Sequence, residues 1–279
     1  MIQKAVFGRV AATRGGIHGS MNGTTKFVDG DFVCEAAGSA VTITEYKGNA
    51  KAVAIPGMIA KLPVTVIGEG AFEDKRLSGV TIPDSVRAIG DCAFAENRLT
   101  GVTIPNGVTA IGEYAFTNNK LTGATIPGSV KTIGNHAFAC NELTGVIIGN
   151  AVVSIGEYAF ACNKLTSLTI GNAVVSIGEY AFACNELTGL TIGNAVATIG
   201  CGVFCANQLT SVTIPASVTA IGNFAFARNR LISVTIGAGI AIGTNTFPGT
   251  FGTAYTSRGR RTYRRGSASD TVWTKYGKH

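Results

Sequence analysis

Histidine is nearly absent: His18, His136 and His279 lie far apart in the chain. A Ser–His–Asp or Cys–His arrangement needs an imidazole beside a nucleophile and an orienting group. Only His136 falls in the regular part of the sequence, so the chain is not expected to be an enzyme. Charge is scarce too, at 14% of 279 residues against about 25% in average soluble domains. No run of about 18 apolar residues occurs, because Gly, Thr, Asn or a charge interrupts each one, which excludes an ordinary membrane-spanning helix. The stretch from Met1 to Val10 lacks the apolar segment of an export signal. Cysteine occurs seven times, an odd number spread along the chain. That gives no compact disulfide framework, and the thiols are read as reduced.

What is present is small and apolar. Residues of the apolar class reach 46%, enough to exclude wholesale disorder. The abundant Gly, Thr, Ile, Val and Ala suit stacked strands better than charged helices. The net charge of +7 is not spread evenly. Residues 27–240 are close to neutral. Residues 1–26 carry no acid, and residues 241–279 carry only Asp270 against a concentration of arginine. Any affinity for a polyanion therefore belongs to the ends.

The dominant signal is a repeat of 22 residues. Ile-Gly recurs from Ile67 to Ile221, Phe from Phe72 to Phe226, Leu from Leu77 to Leu231 and Ile from Ile82 to Ile236, all in one register. A period of this length with strand-like spacing marks a solenoid. In the segment Leu99, Thr100, Gly101, Val102, Thr103, Ile104, the apolar Val102 and Ile104 are two apart with Thr103 between them, so a short strand is expected. Pro105 ends the ladder, and Asn106 and Gly107 turn the chain. Gly112 is read as a tight or positive-φ bend. Ala115 and Phe116 supply core groups on one helical or 3₁₀ turn. A single coil cannot bury its own Leu, Ile and Phe, so like must stack on like. The Asn column from Asn97 to Asn229 is expected to bond turn backbone groups.

The unit with its Ile-Gly-x-x-Ala-Phe core resembles the BspA-type, or Treponema pallidum-type, leucine-rich repeats over about residues 28–275. The resemblance implies a leucine-rich-repeat solenoid. A parallel β-sheet would line the concave face, turns or 3₁₀ and short strands the convex side, and strand caps would close both ends. Residues 1–25 are read as an arm without fixed fold, 26–66 as the cap and irregular first repeat, 67–245 as the solenoid and 246–279 as a basic carboxy-terminal cap. The family unit is usually one residue longer, with Cys where Asn stands here. The resemblance also implies attachment to host proteins or other bacteria at the cell surface or in the periplasm, without catalysis.

Two partner-binding surfaces follow. The outward residues Thr103, Thr125, Ile147, Thr169, Thr191 and Thr213 form an uncharged face next to a row of Gly and Ser. Either this face binds a protein or Thr is there because it favours strands. The arginines Arg258, Arg260, Arg261, Arg264 and Arg265 suit glycosaminoglycan or nucleic acid, or they keep an edge strand of the cap from pairing with other chains. Cys140, Cys162 and Cys184 should stack in a column as small thiols. Cys201 and Cys205 lack the second pair that a structural zinc site needs. Neither a metal nor a cofactor is expected.

Overall fold

The computed structural model describes residues 24–249, 251 and 261–276; the expected amino-terminal arm, Arg258 and Arg260 fall outside them. The chain enters through two antiparallel hairpins, β1 (Thr25–Asp29), β2 (Phe32–Ala37) and β3 (Ala40–Tyr46). The strands β4 (Ala52–Ala54), β5 (Met58–Ile59) and β6 (Leu62–Ile67) begin the winding. Each coil then contributes up to two strands. On the Ile-Gly side lie β8 (Ala88–Ile89), β9 (Ala110–Ile111), β11 (Thr132–Ile133), β13 (Ser154–Ile155), β15 (Ser176–Ile177), β17 (Thr198–Ile199), β19 (Ala220–Ile221) and β21 (Ala241–Ile242). On the Thr side lie β7 (Gly79–Thr81), β10 (Gly123–Ile126), β12 (Gly145–Ile148), β14 (Ser167–Thr169), β16 (Gly189–Thr191), β18 (Ser211–Thr213) and β20 (Ser233–Ile236). The result is a parallel β-solenoid in which like residues pair with like, as Ile133 with Ile155 and Thr169 with Thr191.

Strands three or four residues long on the Thr side face shorter, two-residue strands on the other, as expected, and the two ladders differ in continuity. The Ile-Gly strands continue the hairpin cap as one sheet from β6 to β15, whereas the Thr-side strands form separate groups. The glycines explain the difference. A Cβ on Gly134, Gly156 or Gly178 would lie 2.5, 2.5 or 2.4 Å from backbone of the preceding coil. Only glycine lets the coils approach that closely, and the ladder is fixed there. Gly112 works the same way, since a Cβ there would lie 2.5 Å from backbone of Gly90, and it is not a positive-φ bend. On the Thr side contacts of this kind occur at Gly149 and Gly193, where a Cβ would lie 2.4 and 2.2 Å from backbone of the preceding coil, and there β10 pairs with β12 and β14 with β16. Residues 101–104 lie in no ladder, contrary to the strand expected there, and separate β7 from β10.

The left-handed backbone sits instead on the turn carrying Phe, which is not helical. Two residues per coil have positive φ in register. One column runs Cys92, Tyr114, His136, Tyr158, Tyr180; the other runs Glu96, Asn118, Cys140, Cys162, Cys184. Such conformations cost roughly 1–2 kcal/mol per residue outside glycine. They persist because they let alternate amides reach the next coil: the N–H groups of Tyr114, Phe116 and Asn118 donate to the carbonyls of Asn135, Ala137 and Ala139 at 2.8, 2.8 and 3.1 Å.

Inside the coils the Phe column is fully buried and stacked, with ring centroids 5.2, 5.3 and 5.4 Å apart along Phe116, Phe138, Phe160 and Phe182. Tyr46 continues the stack into one cap and Phe247 into the other. The step from Phe182 to Phe204 widens to 5.9 Å. There Val203 stands in the place of the repeat's Ala, a Cβ on Gly200 would have 3.4 Å to its nearest neighbour, and the Ile-Gly ladder breaks between β15 and β17. One larger core side chain is enough to push neighbouring coils apart.

The Asn column ties the coils together. Asn163, 5% exposed, accepts the Leu143 N–H at 3.0 Å and donates to the carbonyls of Phe138, Phe160 and Ala161 at 2.9, 3.2 and 3.3 Å. The last coil is one residue shorter, with Ile242 paired to Ile221 and Phe247 stacked on Phe226, so that Thr250 takes the place of the next Asn in the sequence. The strands β22 (Arg261–Arg264) and β23 (Thr274–Tyr276) add antiparallel to β20. The Arg265 guanidinium donates to the Leu231 carbonyl, the acceptor that a following coil's amide takes in the repeats, as Lys164 N–H does from Leu143.

Candidate functional site

The Thr side is the most site-like surface among the described residues. Thr103, Thr125, Ile147, Thr169, Thr191 and Thr213 are all exposed, as the alternation of the strands requires. The structure brings them into one line, with Thr125 beside Ile147, Thr169 beside Thr191 and Thr213 beside Thr235. Around residues 101–104, where the ladder is open, lies a shallow groove of ≈ 700 Å³. Thr103, Thr125 and Ile147 line it together with Val102, Ala124 and Val146, and no charged residue contributes. A Cβ on Gly101, Gly123 or Gly145 would meet nothing within 4 Å, so these glycines leave the floor low. Ile147, 67% exposed, is the large apolar group projecting from this face.

The arginine run is divided by the fold. Arg261 is half-buried, Arg264 is exposed and Arg265 is 8% exposed. Arg265 also bonds the Asp270 carbonyl and lies 5.2 Å from the Trp273 ring centroid. Its guanidinium belongs to the cap interior, where burial pulls its pKa below the ordinary arginine value. Nor is β22 an edge: β20 flanks it on one side and β23 on the other.

His136 sits in an aromatic stack. Its ring is stacked between Tyr114 at 4.6 Å and Tyr158 at 4.8 Å, and Tyr158 stacks in turn on Tyr180 at 5.0 Å. Burial lowers the imidazole pKa. This second, half-buried aromatic column was legible in the 22-residue spacing of Tyr114, Tyr158 and Tyr180, but His in the middle and the left-handed backbone beneath hid it.

All seven cysteines are free. Cys201 is paired with the Tyr180 hydroxyl at 3.4 Å, a contact that pushes Tyr180 up to about 12. No group of three or more His, Cys, Asp or Glu that would enclose a metal ion occurs among the described residues. No helix among them is long and apolar enough to cross a membrane.

Comparison with known proteins agrees with this geometry. The BspA type leucine rich repeat region matches in six copies, over residues 65–183 and 140–252. Among solved structures, the chain is similar to a leucine rich cell surface protein from Faecalibacterium prausnitzii, with 25% identity, a TM-score of 0.54 and coverage of 82% of this chain and 75% of that one. It is also similar in fold to the pneumococcal vaccine antigen PcpA, at 18% identity, TM-score 0.62 and coverage of 80% and 67%. A leucine-rich repeat protein from Bacteroides ovatus gives 22%, 0.58, 82% and 68%. No curated protein matches. With its repeats, register and core columns all of this kind, the chain belongs to the BspA-type leucine-rich-repeat family.

Proposed function

We propose that the chain is a non-catalytic recognition module that binds a protein partner at the bacterial surface through its Thr side. The observation that carries this reading is the uncharged groove around Thr103, Thr125 and Ile147. It is open and shallow, as befits a surface that meets another surface, with one apolar anchor at its rim. An exposed Ile inside a row of hydroxyls supplies the kind of central contact that dominates interfaces, while the Thr hydroxyls and low Gly floor supply complementarity around it. The Faecalibacterium relative is described as a cell surface protein, which supports the proposed location.

The test uses intact producing cells. Surface proteolysis should remove the protein; complete protection would contradict the location. A photo-crosslinker placed at Ile147 should then give a discrete protein adduct. Thr103→Lys and Thr125→Lys should each suppress the adduct formed at position 147 without lowering Tm. An adduct that survives both changes would overturn the assignment of this face.

A further inference from the structure

We propose that Cys140, Cys162 and Cys184 form a binding site for a soft, two-coordinate cation of the Cu(I) class, held between neighbouring thiolates of the column. This goes against the expectation from sequence that no metal binds.

The argument begins with the backbone. The three residues share nearly the same left-handed φ, 54, 55 and 55°, and their N–H groups donate to the next coil at 3.0, 3.0 and 2.9 Å. Their side chains therefore leave the solenoid in parallel, one coil apart. The separation of these coils is given by the rings two residues earlier: 5.3 Å from Phe138 to Phe160 and 5.4 Å from Phe160 to Phe182. Stacked in this register, the thiols of Cys140, Cys162 and Cys184 are successive neighbours along one column.

Parallel Cβ atoms about one coil apart are too far from each other for an unstrained disulfide, which needs roughly 3.5–4.5 Å. Two metal–sulfur bonds of about 2.3 Å span roughly 4.6 Å between sulfurs, within about 1 Å of the coil rise. The three sulfurs do not converge on one point, which is why no three-ligand site appears. Soft thiolates select soft ions such as Cu(I) over harder ones. The column is flanked by Asn118 before and Ala206 after, so Cys162 is the one sulfur shared by both possible pairs. Cys184 is exposed and gives the ion its entry. Arg228 acts on Cys184 in the sense that favours the thiolate and so offsets the negative charge of a bis-thiolate complex.

Binding is a ligand exchange without redox change: two S–H bonds break, two Cu–S bonds form and two protons pass to solvent. Because binding releases protons from the thiols, affinity should climb with pH.

The experiment titrates the reduced full-length protein anaerobically with Cu(I) against a chromogenic Cu(I) chelator. The wild type is expected to retain one ion per chain. Cys140→Ser and Cys184→Ser should each retain it, because a pair remains; Cys162→Ser should lose at least tenfold in competition. The double change Cys201→Ser and Cys205→Ser should have no effect. Copper K-edge absorption on the wild type, which needs no variant to fold, should show two sulfur neighbours. Retention by Cys162→Ser equal to wild type, loss on changing Cys201 and Cys205, or an edge showing nitrogen or oxygen ligation would overturn the proposal.

Discussion

Replacing Asn163 with Ala tests the clamp between coils. The side chain makes four hydrogen bonds, but they are not of equal consequence. The Phe138 carbonyl is also served by Asn141 and the Phe160 carbonyl by Asn185, at 3.2 and 3.0 Å. The Ala161 carbonyl also accepts the Cys140 N–H. Those acceptors keep a partner. The Leu143 N–H has only Asn163 and would be left buried and unpaired, at a cost of roughly 1–3 kcal/mol. The expected total is about 2–3 kcal/mol, well below four times a single bond. Asn163→Asp should cost more at neutral pH, because a carboxylate oxygen would then face three carbonyl oxygens where an amide now donates. Folding would raise that carboxyl's pKa, so the variant's stability should be greatest at low pH and fall as pH rises. Urea unfolding with the m-value checked, together with hydrogen exchange at the Leu143 amide, measures both. A loss under about 0.5 kcal/mol with that amide still protected would refute the reasoning.

Other predictions are more local. Gly156→Ala, whose Cβ would sit 2.5 Å from the Asn135 nitrogen, should destabilise by more than about 2 kcal/mol, while Gly123→Ala, with open space, should stay within about 0.5 kcal/mol; thermal unfolding separates them. Burial lowers the pKa of His136, so the unfolded chain takes up its proton first as pH falls. Stability is expected to decline below the ordinary histidine value of about 6.5, and His136→Tyr should flatten that slope in melting curves run across pH. Arg265→Ala should loosen the cap, seen as a change in Trp273 fluorescence at lower urea, and should leave retention on heparin resin unchanged. A drop in retention without a loss of stability would instead return Arg265 to the surface.

The columns of Phe, Ile, Leu and Asn were plain in the sequence because identical side chains at one period have to pile up. The outward Thr row followed from the same alternation. What escaped was conformation that leaves no compositional mark. Tyr114, His136 and Cys140 adopt left-handed backbone, yet none is a residue that advertises it, and Gly112, which does, has another purpose. The break in the Thr-side ladder at residues 101–104 is a matter of spacing between coils, set elsewhere by glycine contacts. The arginine run read as one basic patch, because nothing in its order reveals that Arg265 turns inward while Arg264 faces out.

The way Arg265 occupies Leu231 matters for the whole assembly. Every coil is finished by the one after it, so the stack has a growing end in the structural sense, and a guanidinium plugs that end in place of one more turn. An extra 22-residue unit spliced between two interior coils would meet the same donors and acceptors on both faces. Removing the plug, by contrast, would leave the Leu231 carbonyl and the core of the last coil without a cover, while the hairpins still close the other end.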